Sequence, residues 1–172
     1  MSGLARLNAL PAAEAEADLL TCCGSREWAR RVAALRPFAA EDALFDAADV
    51  VWWVLDREDW LQAFRSHPRI GEKKAEAGQT GREQGWSRGE QAGMDAAQDA
   101  TRRALADGNR AYEERFGHIY LVCATGKSAD ELLSMLTQRL DNEPGAELRV
   151  AAAEQAKITR LRLQKLLASS GA

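Results

Sequence analysis

Apolar residues recur every three or four positions along nearly the whole chain, and this helical spacing limits the possible fold more than any other feature. One short run, residues 119–124, has a partly β-branched, strand-like composition, but the sequence offers no second strand to pair with it. We read that run as a short helix or an extended stretch. The 172 residues suffice for one domain with a sizeable core. We therefore predict an all-α fold, a single-domain multi-helix bundle over residues 1–172.

Capping and helix-breaking residues divide the chain into predicted helices. Gly24 is a stop signal and Ser25 a start signal, Asp56 can cap a short helix, and Ser128 with Glu131 forms a capping box. The predicted helices cover roughly residues 11–23, 25–37, 41–55, 56–65, 87–117, 128–140 and 146–168.

Two stretches of the chain, one apolar and one polar, lead to further predictions about the fold. The run from Val50 to Leu55 is apolar on all sides of its helix, which predicts a position in the centre of the bundle. Residues 71–86 are rich in Lys, Glu, Gly and Gln, which predicts a loop. That loop is longer than most connections between helices, and loops of such length are often functional or disordered.

The charge balance and the cysteine count exclude several classes of protein. A net charge of −3 gives no excess of cations, so an extended phosphate-binding surface and a nucleic-acid partner are not expected. Cys22, Cys23 and Cys123 are odd in number and imply no disulfide framework, and with only two histidines they lack the spacing of a zinc site. No apolar run is long enough to cross a membrane or to form an export signal. We expect a reduced, cytoplasmic setting.

His67 lies in the most unusual string of the chain, where Pro68 follows it directly and Gly71 comes soon after. Proline removes a backbone donor and disfavours helical geometry in the preceding residue, so the helix before His67 should end there. An imidazole just past a helix end can face a cavity and exchange protons near neutral pH. The alternative is a surface histidine in an ordinary helix-ending turn.

Arg162 stands out on the last predicted helix because it falls in the middle of an apolar arc. A guanidinium does not lose its proton, so its burial requires an anionic partner. The partner is either a carboxylate from another helix or the carboxylate of a ligand. The other residues on the arc are Leu148, Ala151, Ala152, Gln155, Ile158, Leu163 and Leu166.

The string Ser87-Arg88-Gly89-Glu90-Gln91 has the pattern of a capping box, with Ser87 as N-cap and Glu90 three residues later. A helix start in this position would offer unpaired N–H groups to an anion or a carbonyl, and Glu90 and Gln91 would add a carboxylate and an amide. The alternative is a purely structural cap.

Two other residues with reactive side chains are interpreted as structural. Cys123 lies in an apolar run and would need a nearby base to act as a nucleophile, so we interpret it as a packed thiol. His118 follows Gly117 at a predicted helix end, where a cation meets the helix dipole favourably.

Taken together, several strings occur in the order found in the OHCU decarboxylases, and the chain resembles that family over nearly its whole length. OHCU is 2-oxo-4-hydroxy-4-carboxy-5-ureidoimidazoline, an intermediate of urate breakdown. The strings are His67-Pro68-Arg69-Ile70-Gly71, Ser87-x-x-Glu90-Gln91, Asn109-x-x-Tyr112-Glu113-x-Arg115-Phe116-Gly117, Tyr120-Leu121-Val122-Cys123-Ala124, Arg139-Leu140-x-Asn142, Glu147-Leu148 and Lys157-Ile158-x-x-Leu161-Arg162-Leu163.

The resemblance implies an all-α homodimer that converts OHCU to (S)-allantoin and carbon dioxide without a metal or an organic cofactor. It implies that His67 is the catalytic acid–base residue and Glu90 its carboxylate companion. The substrate contacts that it implies are Pro68, Ser87, Arg88, Gly89, Glu90, Gln91, Tyr120, Leu121, Val122, Cys123, Ala124 and Arg162. The loop before Ser87 is longer or differently composed than in some members, which bears on a lid over the site rather than on the chemistry.

Two alternatives to a cofactor-free decarboxylase remain open from the sequence. One is a helical small-molecule-binding or interaction module that retains the fold without turnover. The other is a structural helical protein in which His67 and Arg162 only close turns and ion pairs. A decarboxylase requires His67, Glu90 and Arg162 to converge on one cavity, whereas a structural protein does not.

Overall fold

The computed structural model of the chain describes residues 1–71, 81–94 and 98–169. Within these ranges the structure contains nine α-helices, one short 3-10 turn and no strand, which confirms the predicted all-α class. None of the described helices has the length and apolarity needed to cross a bilayer. The helices are α1 (Gly3–Ala9), α2 (Ala12–Cys22), α3 (Arg26–Ala34), α4 (Glu41–Val54), α5 (Arg57–Phe64), α6 (Gly81–Glu90), α7 (Asp99–Phe116), α8 (Ala129–Arg139) and α9 (Pro144–Ser169).

Helix ends follow the local chemistry of the sequence at several places. The hydroxyl of Ser25 accepts a hydrogen bond from the N–H of Trp28 at 3.2 Å, and that of Ser128 accepts from the N–H of Glu131 at 3.1 Å. Gly117 ends α7 in the left-handed conformation with φ 77°, which glycine adopts without steric cost. These signals act over three or four residues, so the sequence alone predicts them well.

The described contacts group into two compact units, and the first contains residues 1–63 and 156–172. In this unit α2 packs against α3, and α3 packs against α4. The indole of Trp28 is fully buried and donates to the carbonyl of Ala48 at 3.0 Å, which ties α3 to α4. The indole of Trp60 donates in the same way to the carbonyl of Trp52 at 2.9 Å.

The prediction that the run from Val50 to Leu55 lies in the centre of the bundle is wrong for half of its residues. Val51, Trp52 and Leu55 are buried, but Val50 is 64% exposed and Val54 is 67% exposed. Consecutive residues of a helix point in directions 100° apart, so a run of six apolar residues covers every side of the helix. In this unit only one side of α4 is covered, and composition alone does not reveal which side.

The second unit contains residues 64–155. Helix α7 packs against α8, and the apolar core that they share also takes up the segment after α7. This core consists of Ile70, Met94, Leu105, Tyr112, Phe116, Tyr120, Val122, Ala124, Ala129, Leu132 and Leu136. Residues 119–124 have neither helical nor strand geometry and are mostly buried, so of the two predicted forms the extended one is correct.

Candidate active site

His67 lies in a turn directly after α5, as the sequence predicts. The helix ends at Phe64, and the backbone N–H of His67 donates to the carbonyl of Phe64 at 3.2 Å. Both His67 and Pro68 are buried, and His67 is only 4% exposed. The alternative of a surface histidine in an ordinary turn is therefore excluded.

The imidazole of His67 is in contact with α9. Its Nε2 lies 2.7 Å from Oε1 of Gln155, which is itself fully buried. Gln155 is one of the residues on the predicted buried arc, but sequence reasoning gave it no role. The available signal was an amide in the middle of an apolar arc, which is the same type of signal that singled out Arg162.

The prediction that Ser87 begins a helix is wrong. Helix α6 already begins at Gly81, so Ser87 lies in its last turn and Glu90 is its final residue. The buried residues of α6 are Glu83, Ser87 and Glu90, spaced as one face of a helix. Because this buried face is polar, the usual apolar periodicity is absent and the helix resembles a loop in the sequence.

This correction reverses the electrostatics that were expected around Glu90. The carboxylate lies at the C-terminal end of a helix, where the dipole is negative and carbonyl groups rather than N–H groups point outward. Within the predicted string, Ser87 and Glu90 are buried, whereas Arg88 and Gly89 are exposed. Of the predicted loop 71–86, residues 81–86 are helical and residues 72–80 lie outside the described residues.

Three hydrogen bonds fix the turn that follows His67. The backbone N–H of Gly71 donates to Oε1 of Gln91 at 2.9 Å, which joins the turn to the end of α6. The carbonyl of Ile70 accepts from Nδ2 of Asn109 at 3.1 Å, and Arg69 pairs with Glu113 at 2.8 Å. Gln91 therefore holds the turn through its amide side chain.

Three hydrogen bonds that involve side chains hold the extended segment from Tyr120 to Ala124. Nη1 of Arg139 donates to the carbonyl of Leu121 at 2.7 Å, and the hydroxyl of Tyr120 donates to the carbonyl of Leu132 at 2.9 Å. The N–H of Cys123 donates to Oε1 of Glu154 at 3.1 Å. Side chains thus replace the hydrogen bonds that a neighbouring strand would otherwise supply.

Cys123 connects this segment to Glu90. Burial raises the pKa of the Cys123 thiol above its usual range, the cation of Lys127 opposes the shift, and the carboxylates of Glu154 and Glu90 add to it. A raised pKa keeps the thiol protonated at neutral pH, in agreement with its interpretation as a packed thiol. The charge of Glu90 therefore acts on the thiol of Cys123.

Consecutive residues of α9 therefore hold two of the predicted site elements. Gln155 contacts the imidazole of His67, and Glu154 accepts from the backbone of Cys123. We call these four residues the Gln155 cluster. The cluster joins two of the predicted site strings within the second unit, and the charge of Glu90, from a third string, acts on Cys123.

A second buried polar group, which we call the Glu147 cluster, lies two turns earlier on α9. The carboxylate of Glu147 accepts from Nε of Arg139 at 2.7 Å, from the hydroxyl of Tyr112 at 2.5 Å and from the amide of Asn142 at 2.9 Å. Burial, followed by the hydrogen bond to Glu147, raises the pKa of Tyr112, which therefore remains a donor. This cluster satisfies its charges internally, which indicates a structural role.

Arg162 belongs to the first unit and is 2% exposed, which confirms that the apolar arc buries it. Its Nη1 donates to the carbonyl of Thr21 at 3.4 Å. Burial raises the pKa of Cys23 in the same unit to about 12, although hydrogen bonds from Ser25 and Thr159 and the charge of Arg162 act against the increase. The raised pKa makes Cys23 an unreactive thiol.

His118 is the second histidine of the chain. His118 lies among the rings of Phe64, Tyr112 and Phe116, and its Nδ1 is 3.1 Å from the carbonyl of Ile119, which supports the structural interpretation. Over the residues that the structure describes, no group of three or more His, Cys, Asp or Glu side chains is arranged to hold a metal ion.

Comparison with known proteins identifies the family. A family model described as OHCU decarboxylase matches residues 8–164. The chain belongs to the OHCU decarboxylase family. Among structures of this family, the chain is similar to a crystal structure of OHCU decarboxylase in the presence of (S)-allantoin, with a TM-score of 0.73 and 34% sequence identity over 88% of this chain and 97% of that chain.

Curated relatives extend the same result. The chain is 36% identical over 152 residues to the uric acid degradation bifunctional protein TTL of Arabidopsis thaliana, covering 88% of this chain and 47% of that protein. It is 38% identical over 108 residues to the 2-oxo-4-hydroxy-4-carboxy-5-ureidoimidazoline decarboxylase of Amia calva, covering 60% of this chain and 58% of that protein. The chain thus spans about half the length of these two relatives, and the family resemblance predicted from the sequence is confirmed.

Proposed function

We propose that this protein decarboxylates OHCU to (S)-allantoin in urate breakdown. The observation that carries the proposal is the Gln155 cluster, in which a buried imidazole and an extended backbone segment are held by neighbouring residues of one helix. A buried histidine that is fixed by a hydrogen bond is a common arrangement for proton transfer. The relatives named for this reaction supply the substrate.

The reaction can proceed without a cofactor because the substrate contains its own electron sink. The carbon that carries the carboxylate adjoins a ring C=N bond, and loss of carbon dioxide moves the electron pair into that imine. A proton must then reach one face of the neighbouring carbon, which sets the handedness of allantoin. The protein therefore has to orient the ring, exclude water and deliver one proton.

We assign the proton to His67, in keeping with the family pattern. General acid–base help of this kind typically contributes about 10²- to 10⁴-fold to the rate. Glu90 orients the imidazole or holds the ureido N–H groups of the substrate. Contacts to the substrate come from the residues of the Ser87–Gln91 and Tyr120–Ala124 strings and from Pro68.

Arg162 completes the proposal as a group that positions the substrate ring. A guanidinium that held the departing carboxylate tightly would stabilise the ground state as much as the transition state, which would not raise the rate. A substrate carboxylate in a less polar environment loses carbon dioxide more readily. A ligand-bound structure with a bidentate pair between Arg162 and that carboxylate would contradict this role.

The family resemblance also supports three proposals about the organisation and location of the protein. The protein acts as one domain over residues 1–172, forms a homodimer and works in the cytoplasm. Light scattering coupled to size exclusion tests the dimer directly, since a mass of one chain at micromolar concentration would rule it out.

The central test measures the chirality of the product. OHCU is short-lived and also decays unaided to racemic allantoin, so the appearance of product alone does not prove catalysis. Urate oxidised by uricase and then hydrolysed supplies OHCU to the purified protein, and circular dichroism of the allantoin follows the handedness. We expect excess (S)-allantoin with the wild-type protein.

His67→Ala should reduce the stereospecific rate by about 10²- to 10⁴-fold, because it removes the proton donor, while the far-ultraviolet spectrum stays helical. His118→Gln is the matched control, since it replaces the other histidine of the chain. Stereospecific turnover by His67→Ala near the wild-type rate would remove His67 from the mechanism. A racemic product with the wild-type protein would instead favour a binding module without turnover.

A further inference from the structure

The contact between His67 and Gln155 determines which nitrogen of the imidazole carries the proton. A neutral imidazole has one N–H donor and one lone-pair acceptor, and the hydrogen bond at either nitrogen selects the tautomer. Oε1 of Gln155 lies 2.7 Å from Nε2 of His67. A carbonyl oxygen only accepts, so this contact requires a proton on Nε2 and leaves the lone pair on Nδ1.

A neutral amide acts differently from a carboxylate in this position. A carboxylate next to an imidazole N–H stabilises the imidazolium form and raises the pKa of the ring. The carbonyl of Gln155 accepts from Nε2–H in both the neutral and the protonated ring. It therefore fixes the orientation and the tautomer while adding no net charge.

The surroundings of Gln155 make it a rigid support. It lies inside α9, a helix of 26 residues, and its side chain is fully buried. The neighbouring residue, Glu154, accepts from the N–H of Cys123 at 3.1 Å. A rotation of this part of α9 would therefore displace the imidazole and the extended segment together.

We infer that Gln155 is a positioning residue that holds His67 as the Nε2–H tautomer, so that Nδ1 is the nitrogen that exchanges a proton with the substrate. In the protonated ring the mobile proton lies on Nδ1. After the loss of carbon dioxide it moves to the neighbouring, former imine carbon, while the proton of the substrate hydroxyl passes to the ring nitrogen and leaves a carbonyl group. His67 is then neutral, with Nε2–H still bonded to Gln155. This inference rests on the proposed function for the substrate, but the tautomer itself does not depend on turnover.

The first experiment measures the tautomer by NMR without any substrate. The chain has only two histidines, so long-range ¹H–¹⁵N spectra of protein labelled at histidine contain two rings, and His118→Gln assigns them. At a pH where His67 is neutral, we expect Nε2 to show the shift of a protonated nitrogen and Nδ1 that of a lone-pair nitrogen. The reverse pattern would mean that the amide of Gln155 donates to Nε2, and it would overturn the inference.

Two substitutions then separate positioning from a packing role. Gln155→Met keeps an unbranched side chain of similar length but removes the hydrogen bond, so both tautomers should appear and kcat should fall by roughly 10- to 100-fold. Gln155→Glu keeps the acceptor oxygen, so the Nε2–H tautomer should persist. Its carboxylate should raise the pKa of His67 and move the limb of the pH–rate profile that reports His67 upward by about one unit.

Gln164→Met is the matched control, because Gln164 is an exposed glutamine on the same helix. Glu90 and Glu154 are unchanged in all of these variants, so a shift between profiles reports the substituted position. If Gln155 only fills space, the Met and Glu variants will share the wild-type tautomer and the wild-type profile, and the inference is wrong. An Nε2–H tautomer in a protein that forms only racemic allantoin would reject the proposed function and leave the role of Gln155 in selecting the tautomer standing.

Discussion

The Glu147 cluster and the Gln155 cluster lie two turns apart on α9, and they use buried polar groups in different ways. In the Glu147 cluster, the carboxylate accepts from a guanidinium, a phenol and an amide. In the Gln155 cluster, the described contacts join side chains to an imidazole and to a backbone N–H. The first arrangement neutralises charge, whereas the second fixes the position of groups that can take part in chemistry.

Because the two clusters differ in this way, one helix can contribute both to stability and to the candidate active site. A buried ion pair loses a large amount of energy when one partner is removed, because the other is left charged in a poorly solvated place. A hydrogen bond to a neutral group costs less when it is lost, but the group that it held becomes free to move. Substitutions in the Glu147 cluster should therefore cost more stability than those in the Gln155 cluster, and loss of the contact to His67 should mainly reduce turnover.

The largest expected effect on stability comes from Glu147→Ala. This substitution leaves the guanidinium of Arg139 buried without its carboxylate, so the free energy of unfolding should fall by about 3–5 kcal/mol. Urea denaturation followed by circular dichroism measures the change. Glu143→Ala is the control, since Glu143 is exposed just before α9, and it should stay within about 0.5 kcal/mol. A loss below about 1 kcal/mol for Glu147→Ala would show that the cluster is not a stabilising ion pair.

Substitutions of Glu154 should have a smaller effect on the free energy of unfolding. Two variants distinguish the hydrogen bond of this residue from its charge. Glu154→Leu leaves the buried N–H of Cys123 without its acceptor, which should cost about 1–3 kcal/mol in the free energy of unfolding. Glu154→Gln retains a carbonyl acceptor and should stay within about 1 kcal/mol of the wild type. Equal losses in the two variants would show that the negative charge, rather than the hydrogen bond, supports the extended segment.

The smallest effect concerns the proximity of Glu90 to Cys123. The carboxylate of Glu90 contributes to the raised pKa of this thiol, so Glu90→Gln should lower that pKa and increase the thiolate fraction. Alkylation of Cys123 at mildly alkaline pH, followed by mass spectrometry, should become faster by about two-fold. Arg88→Gln, at an exposed position on the same helix, serves as the control. An unchanged or slower rate for Glu90→Gln would argue that the two groups are farther apart.

The sequence predicted those parts of the fold that depend on local signals. The caps at Ser25 and Ser128 and the stop at Gly117 each act within one helical turn, and the structure confirms them. The burial of Arg162 was also predicted, because the helical period alone places it on the apolar arc. The family itself was identified from several short strings that occur in a fixed order.

The predictions that were wrong or incomplete concern features that depend on which helix surfaces contact each other. Helix α6 was missed because its buried face consists of Glu83, Ser87 and Glu90, and polar residues give no apolar period. The exposed side of α4 was missed because an apolar run does not reveal which side has neighbours. Gln155 was missed as a partner of His67 because the two residues are 88 positions apart, and no local pattern connects them.

The placement of Glu147, Glu154 and Gln155 on one uninterrupted helix has a consequence for how this chain can vary in length. A single residue inserted between Glu147 and Glu154 would turn everything beyond it by 100° and advance it by about 1.5 Å relative to Glu147. Either the imidazole and the extended segment or the ion pair would then lose its partner. We expect this stretch of α9 to tolerate side-chain replacements far better than deletions or duplications, even of a single alanine.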